Sequence, residues 1–189
     1  MRLDLITISR EFGAGASDLA ARLGIPDDSL EQWDEHAPGL LESIGHALVM
    51  GSPDVVLDPT YARRPVAEDV ANATRDLLLE RAVDVPLIVV GHGGQAIFHD
   101  RPGTLHVRLV APIELRAERV TRRRSCTRQE AVAIAQSVDR DRMGYVKQFY
   151  HRDVRDPLLY AIVINTGIVA MPEAEALVVS LLAEAEDPR

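Results

Sequence analysis

Cysteine and lysine are almost absent from this chain of 189 residues, which has one of each. The single Cys126 excludes an intrachain disulfide, and no cysteines and histidines cluster at the spacing of metal ligands, so a structural zinc is not expected. Apolar runs stay well below the roughly 18 residues of a membrane-spanning helix, so no membrane partner is predicted. Met1 leads into a strand pattern and not into a basic and apolar leader, so we expect no signal peptide and a cytoplasmic location.

Positive charge comes almost entirely from arginine, because the chain has twenty arginines and one lysine, Lys147. Any phosphate clamp in this chain must therefore be built mainly from guanidinium groups. The net charge of -8 argues against general nucleic-acid binding. Hydrophobic residues at 47% and charged residues at 26% are typical of a soluble globular protein, and the length predicts a single domain over residues 1–189.

The first 23 residues have the order strand, glycine loop and helix. The run from Leu3 to Ile8 is mainly apolar, Ser9 to Ala16 contains two glycines, and Ser17 to Leu23 consists largely of strong helix formers. In such a unit the loop amides and the positive end of the helix converge on one point, where a phosphate can bind. The alternative is that the two glycines only shape a turn between strand and helix.

The loop meets the P-loop pattern G-x-x-x-x-G-K-[ST] only in part. If Gly15 is the second glycine, Ser17 occupies the position of the hydroxyl that holds Mg²⁺, Ala16 replaces the lysine and Arg10 replaces the first glycine. An arginine fork suits phosphate oxygens through bidentate geometry. The pattern therefore favours a phosphate loop in which arginine supplies the missing charge.

Further along the chain, strand and helix patterns alternate. Strands are predicted at Pro86–Val90, Thr104–Val110 and Tyr160–Asn165, and helices at Pro65–Val83, Ile113–Arg124, from Thr127 to about Met143, and Pro172–Glu186. This alternation predicts a three-layer α/β fold with a mainly parallel central sheet. A second glycine turn, GHGG, follows the strand that ends at Val90, so it should lie near the first turn at the carboxyl edge of the sheet. His92 in this turn either contacts a phosphate or is an ordinary loop histidine.

The segment from Arg116 to Arg155 is strongly basic. It holds ten arginines and one lysine against five acidic residues, a local balance of +6 in a chain of -8. A solvated charged face is the usual explanation of such a run. Here the basic residues gather at two helices joined by a short break at Ser125 and Cys126, and Thr127 with Glu130 forms a capping-box pattern after it. That arrangement suits a helical lid that closes over polyphosphate.

Several segments, taken in order, resemble one family. They are ITISREFGAGASDLAARLG near the N-terminus, IVVGHGGQAIFHDRPGTLHVRLVAPIELRAERV in the middle, and VDRDR followed by YHRDVRDPLLYAIVINT near the end. These segments are similar to the cytidylate kinase-like proteins, in the nucleoside monophosphate kinase branch of the P-loop kinases. The resemblance implies a P-loop kinase-like fold with a lid at about 116–155, and a kinase that uses ATP and Mg²⁺ to phosphorylate a nucleoside monophosphate such as CMP or dCMP.

The resemblance also implies roles by position. The ATP phosphate loop would comprise Arg10, Gly13, Ala14, Gly15, Ala16 and Ser17, with Ser17 contacting Mg²⁺ and Asn165 lying beside the adenine. The acceptor pocket would include Asp34, Gly91, His92 and Gly93. The lid arginines that act in catalysis would be Arg119, Arg123, Arg140 and Arg142.

Two departures from the family pattern keep three hypotheses open. Ala16 lacks the charge of the P-loop lysine, and His92 stands where arginine is usual. Phosphoryl transfer depends on positioning and on stabilising charge on the phosphate oxygens, so a lost cation costs much of the rate unless lid arginines supply it. The protein is then an arginine-based nucleoside monophosphate kinase, a nucleotide-binding regulator without turnover, or a kinase acting on a small hydroxylated metabolite. Nucleotides are the expected partners, and a homo-oligomer stays open.

Overall fold

The structure is a computed structural model that describes residues 3–24, 63–83 and 87–186. The acceptor residue Asp34 predicted from the sequence lies outside these ranges. The strands are β1 (Leu5–Arg10), β2 (Leu87–Val90), β3 (Thr104–Val110) and β4 (Ile162–Asn165). The helices are α1 (Ala16–Arg22), α2 (Arg63–Arg81), α3 (Gly94–Ile97), α4 (Ile113–Arg124), α5 (Arg128–Tyr150) and α6 (Met171–Glu186), with a short 3₁₀ turn at Pro157–Leu159.

The four strands form one parallel sheet in the order β2-β1-β3-β4. Strand β1 is central, and Leu5 lies opposite Leu87 of β2 and Thr104 of β3. Residues of β1 are buried almost throughout, because a parallel sheet is covered on both faces. The predicted parallel sheet and all four predicted strands are confirmed, so the carboxyl ends of β1 and β2 lie side by side.

Helices pack on both faces of the sheet. On one face, Ile6 and Ile8 of β1 pack with Leu19 of α1 and Val178 of α6 in the main apolar cluster. On the other face, Leu5 and Val89 pack with Phe98 and Ala82, at the ends of α3 and α2. The alternation of side chains along β1 divides it between the two clusters. The three-layer α/β fold that the sequence predicts is confirmed.

Helices α4 and α5 form an antiparallel hairpin that we call the basic hairpin (residues 113–150). Ser125 adopts a left-handed conformation (φ 51°) that ends α4, and Thr127 with Glu130 forms the predicted capping box at the start of α5. Helix α5 continues to Tyr150, so the predicted end near Met143 is wrong. Gly144 destabilises a helix by about 1 kcal/mol relative to alanine. Burial of Val146, two residues further on, stabilises the last turns of α5 against the rest of the protein.

Within the described ranges, none of the helices combines the length and the apolar composition that crossing a bilayer requires.

Candidate functional site

A cleft of about 230 Å³ lies between the loop that follows β1 and the basic hairpin. One wall is the loop from Arg10 to Ser17, which we call the phosphate loop because the sequence predicts that it binds phosphate. The opposite wall carries four arginines of the hairpin: Arg119, Arg123, Arg124 and Arg142. Among the residues that the structure describes, five arginines line the cleft when Arg10 is included, and Glu11 is the one acid that lines it. This excess of positive charge suits a ligand with several negative charges.

The phosphate loop enters α1 through Gly15, which has a left-handed conformation (φ 93°). A Cβ atom at this position would lie 2.7 Å from Cε of Met171, so a larger residue would displace the end of that side chain and strain the backbone. Ala16 then begins α1 and is buried in the main apolar cluster. Ser17, the next residue, lines the cleft. Because α1 has only seven residues, the arginines, and not the helix end, supply most of the positive potential here.

Arg10 lies against the second glycine turn. A Cβ atom on Gly91, whose φ is 80°, would overlap Nη1 of Arg10, so glycine here makes room for the guanidinium. Burial and the neighbouring Arg142 hold the pKa of Arg10 well below its ordinary value. Burial likewise lowers the pKa of Arg142 to about 10. Burying two like charges this close together is costly, and an anionic ligand between them would offset that cost.

His92 completes this cluster at the carboxyl ends of β1 and β2. Burial, together with the charges of Arg10 and Arg142, lowers its pKa to about 4. The imidazole is therefore neutral near pH 7 and can offer one donor and one acceptor. His92 adopts a left-handed conformation (φ 53°), and the following Gly93 packs against the ring of Tyr150. The second glycine turn is thus brought beside the first, as the sequence predicts.

The predicted lid arginines differ in their surroundings. Arg119 donates hydrogen bonds to the carbonyl oxygen of Gly13 (3.3 Å) and to both Oγ1 and the carbonyl oxygen of Thr166 (2.9 and 2.8 Å). Arg123 is half exposed and forms an ion pair with Asp18 at 2.8 Å. Arg140 is exposed on α5 and does not line the cleft. The structure therefore brings three of the four to the phosphate loop.

Asn165 and Ala14 support the site without lining it. The Asn165 side chain accepts a hydrogen bond from the N–H of Gly167 at 2.9 Å, which shapes the turn after β4. Ala14 is buried, and its carbonyl oxygen accepts a hydrogen bond from Oγ1 of Thr166. Through Thr166, the turn after β4 is tied to the phosphate loop.

The sequence interpretation missed a network that connects the phosphate loop to the basic hairpin. Asp139 accepts hydrogen bonds from the N–H of Phe12 (2.8 Å) and from Arg116 (2.6 Å), and Arg116 also donates to the carbonyl oxygen of Phe12 (3.1 Å). Glu11 accepts a hydrogen bond from the N–H of Ala111. Two acids in the sequence could have indicated this network: Glu11, beside Arg10, and Asp139, within VDRDR. An acid in a basic segment usually pairs with one of its arginines.

Arg124 was missed as a residue that lines the cleft for a different reason. It belongs to a run of three arginines, and the sequence pattern does not show which of the three faces the loop.

A second cleft, of about 260 Å³, lies between α2 and the C-terminal end of α5. Its lining includes Glu68, Asn72 and Arg75 of α2 and Tyr150 of α5. Tyr150 also contacts Gly93, and its hydroxyl lies 3.3 Å from that of Tyr145. The second cleft therefore lies next to the glycine turn that carries His92.

No group of three or more acidic, histidine or cysteine side chains is arranged to hold a metal ion in the part of the chain that the structure describes. Ser17 contributes a hydroxyl to the cleft. Mg²⁺ commonly keeps several waters and is bound largely by substrate phosphates. The residues present fit an ion that arrives with a polyphosphate, and Ser17 offers a hydroxyl at the cleft.

Comparison with known proteins gives a family and a fold. The sequence model of the cytidylate kinase-like family matches residues 17–168, which is more than half of the chain. A crystal structure of an uncharacterized protein from Eubacterium ventriosum ATCC 27560 is similar with a TM-score of 0.69 and 19% identity, over 95% of this chain and 98% of that one. The crystal structure of TT1252 from Thermus thermophilus has a TM-score of 0.49 and 21% identity, over 97% and 98% of the two chains. No curated protein matches.

Proposed function

The chain belongs to the cytidylate kinase-like family, and we propose that it is an ATP-dependent nucleoside monophosphate kinase, with CMP or dCMP as the first candidate acceptors. The observation that carries the proposal is the cleft in which the phosphate loop faces the arginines of the basic hairpin. Five guanidinium groups around one cleft suit the triphosphate of ATP together with the phosphate of the acceptor, because these groups need several bidentate donors.

The donor site uses the phosphate loop and the hairpin arginines. Arg123 and Arg124 face the loop from α4, and Arg142 does so from α5. Arg119 is held by Gly13 and Thr166 and so fixes the loop as well as adding charge. Mg²⁺ bound with ATP near Ser17 would neutralise part of the phosphate charge. The chain's own contribution is to position the triphosphate and to stabilise negative charge on the transferring group.

The acceptor phosphate is assigned to the cluster of Arg10, Arg142 and His92. This cluster lies at the edge between the phosphate loop and the second glycine turn, so a group bound there is close to the donor. The two arginines bind the phosphate oxygens, and neutral His92 adds a hydrogen bond without further charge repulsion. We place the nucleoside of the acceptor in the second cleft, beyond Gly93. The amide, carboxylate and guanidinium groups that line this cleft suit the polar edge of a nucleobase.

A panel of acceptors tests this function. ATP and Mg²⁺ are incubated with each nucleoside monophosphate, and ADP release is followed in a coupled assay. We expect turnover with at least one pyrimidine nucleotide. If ATP binds and none of the acceptors supports ADP release, the kinase proposal is rejected.

A second candidate is a nucleotide-binding regulator that has lost turnover, and Ala16 is the observation that favours it. This residue replaces the P-loop lysine and is 4% exposed within the apolar core. This hypothesis predicts that the protein binds ATP or ADP but transfers no phosphoryl group to any acceptor. A kinase acting on a small hydroxylated metabolite would instead show transfer only when the panel is extended to such compounds.

A further inference from the structure

Phe12 lies where the phosphate loop meets the basic hairpin, and its ring contacts two guanidinium groups of the cleft. The Cζ atoms of Arg124 and Arg142 lie 5.1 and 5.6 Å from the ring centroid. Both distances fall within the range of a cation–π interaction. The two arginines come from different helices, α4 and α5, so a single aromatic ring from the loop joins both sides of the hairpin.

The backbone of Phe12 is held as firmly as its ring. Its N–H donates to Asp139 at 2.8 Å, and its carbonyl oxygen accepts from Arg116 at 3.1 Å. The ring also packs against the apolar cluster inside the hairpin, which includes Ala117, Val120 and Ala131. The backbone hydrogen bonds fix where the side chain starts, and the ring can leave the two arginines only if its apolar contacts break.

We propose that Phe12 is the positioning residue that orients Arg124 and Arg142 toward polyphosphate before the ligand binds. The inference rests on the proposed phosphate site and adds a residue that neither the family pattern nor the cleft arginines assign. A free arginine side chain has about 2 kcal/mol of rotamer entropy, and part of that is lost each time it binds an anion. An aromatic face restricts the guanidinium in advance, so less of this cost falls on ligand binding.

This role also offsets part of the repulsion among the arginines of the cleft. Arg10, Arg124 and Arg142 all line one cleft, and like charges in one cleft repel. The negative face of the Phe12 ring attracts two of these cations. Phe12 therefore keeps Arg124 and Arg142 in the orientation that binds polyphosphate before the ligand arrives.

Binding of inorganic tripolyphosphate, measured by calorimetry, tests the proposal without any need for turnover. Phe12→Leu keeps an apolar side chain but removes the aromatic face, and we expect binding about tenfold weaker. Phe12→Tyr restores an aromatic face and should bind within about twofold of the wild type. Val132→Ala is the matched packing control, because Val132 packs against the same apolar cluster without lining the cleft. This variant should melt at a lower temperature and bind as the wild type does.

Two results would overturn the proposal: a Phe12→Leu variant that binds as the wild type does, or a Phe12→Tyr variant as weak as the leucine variant. A second measurement separates this inference from the proposed function. In the ligand-free protein, the Nε–Hε resonances of Arg124 and Arg142 should show ring-current shifts that disappear in Phe12→Leu. Wild-type binding without those shifts rejects the role of Phe12 alone. Shifts without any binding reject the phosphate site, and the proposed function with it.

Discussion

The carboxylate of Asp139 in α5 accepts a hydrogen bond of 2.8 Å from the backbone N–H of Phe12 in the phosphate loop, across 127 positions of sequence. Its second oxygen accepts from Arg116 at 2.6 Å, and the Arg116 side chain is only 8% exposed. A nearly buried guanidinium requires such a partner, because an uncompensated buried charge is strongly destabilising. The conformation of the phosphate loop therefore depends on the basic hairpin, and the base of the hairpin is fixed to the loop.

Asp139→Asn tests this dependence. The substitution keeps one oxygen acceptor but removes the negative charge that faces Arg116. Breaking a buried ion pair costs about 3–5 kcal/mol, and Glu11, whose carboxylate lies 3.4 Å from Arg116, compensates for part of the loss. We expect the free energy of unfolding in urea to fall by about 2–3 kcal/mol.

Asp141→Asn is the control for the same charge change on the same helix. Asp141 is exposed, so we expect its free energy of unfolding to stay within about 0.5 kcal/mol of the wild type. Equal losses in the two variants would show that net charge, and not the bond to Phe12 and Arg116, determines the effect.

Gly91→Ala is predicted to displace Arg10. The new Cβ atom would overlap Nη1 of that arginine, and the positive φ of 80° adds backbone strain of about 1–2 kcal/mol. Gly24→Ala provides a matched control, because Gly24 has φ 92° and no atom of the described chain lies within 4 Å of the Cβ position. Both variants should lose stability in urea through backbone strain, and Gly91→Ala should lose more because it also displaces the buried Arg10 guanidinium. Only Gly91→Ala should weaken the binding of CMP, by about tenfold. Equal affinities for CMP in the two variants would contradict the placement of Arg10 at the acceptor phosphate.

His92 predicts a dependence of stability on pH. Burial, together with Arg10 and Arg142, lowers its pKa to about 4 in the folded protein, against about 6.5 in the unfolded chain. Between these values the unfolded chain binds more protons, so stability is complete above pH 6.5 and is lost as the pH falls toward 4. The full loss is on the order of 3 kcal/mol.

His92→Asn removes this titration and tolerates the left-handed backbone. The difference in free energy of unfolding between wild type and variant should shift by about 1 kcal/mol between pH 7.5 and pH 5.5, to the disadvantage of the wild type. Urea unfolding curves at several pH values measure the difference. Parallel profiles over this range would mean that the histidine is accessible to solvent.

The sequence predicted the fold because periodicity and turn residues are local signals. The runs predicted to end at Ile8, Val90, Val110 and Asn165 are all strands of the parallel sheet, although the first strand continues to Arg10, into the predicted loop. The end of α5 was missed since Gly144 is a local signal for a helix end, whereas the burial of Val146 that overrides it depends on tertiary packing.

The site was predictable only where residues are adjacent in sequence. The glycine turns and most of the hairpin arginines follow from motifs, and the structure brings them together. The bond from Asp139 to Phe12 and the stacking of Arg124 on the Phe12 ring join distant positions, so no local pattern indicates them. The role of the basic hairpin as a moving lid stays a prediction.

Arg123 is the hairpin arginine whose removal should separate function from stability most cleanly. Its side chain is 53% exposed, and its ion pair with Asp18 is the kind of surface pair that contributes about 0–1 kcal/mol. Arg123→Gln should therefore leave the free energy of unfolding nearly unchanged. If the arginine stabilises charge on the transferring phosphoryl group, kcat/KM should fall about a hundredfold. Arg122→Gln is the control, since Arg122 is more exposed, pairs with Glu118 and does not line the cleft. A comparable fall in kcat/KM for Arg122→Gln would mean that the hairpin acts through its overall charge and not through the arginines that face the phosphate loop.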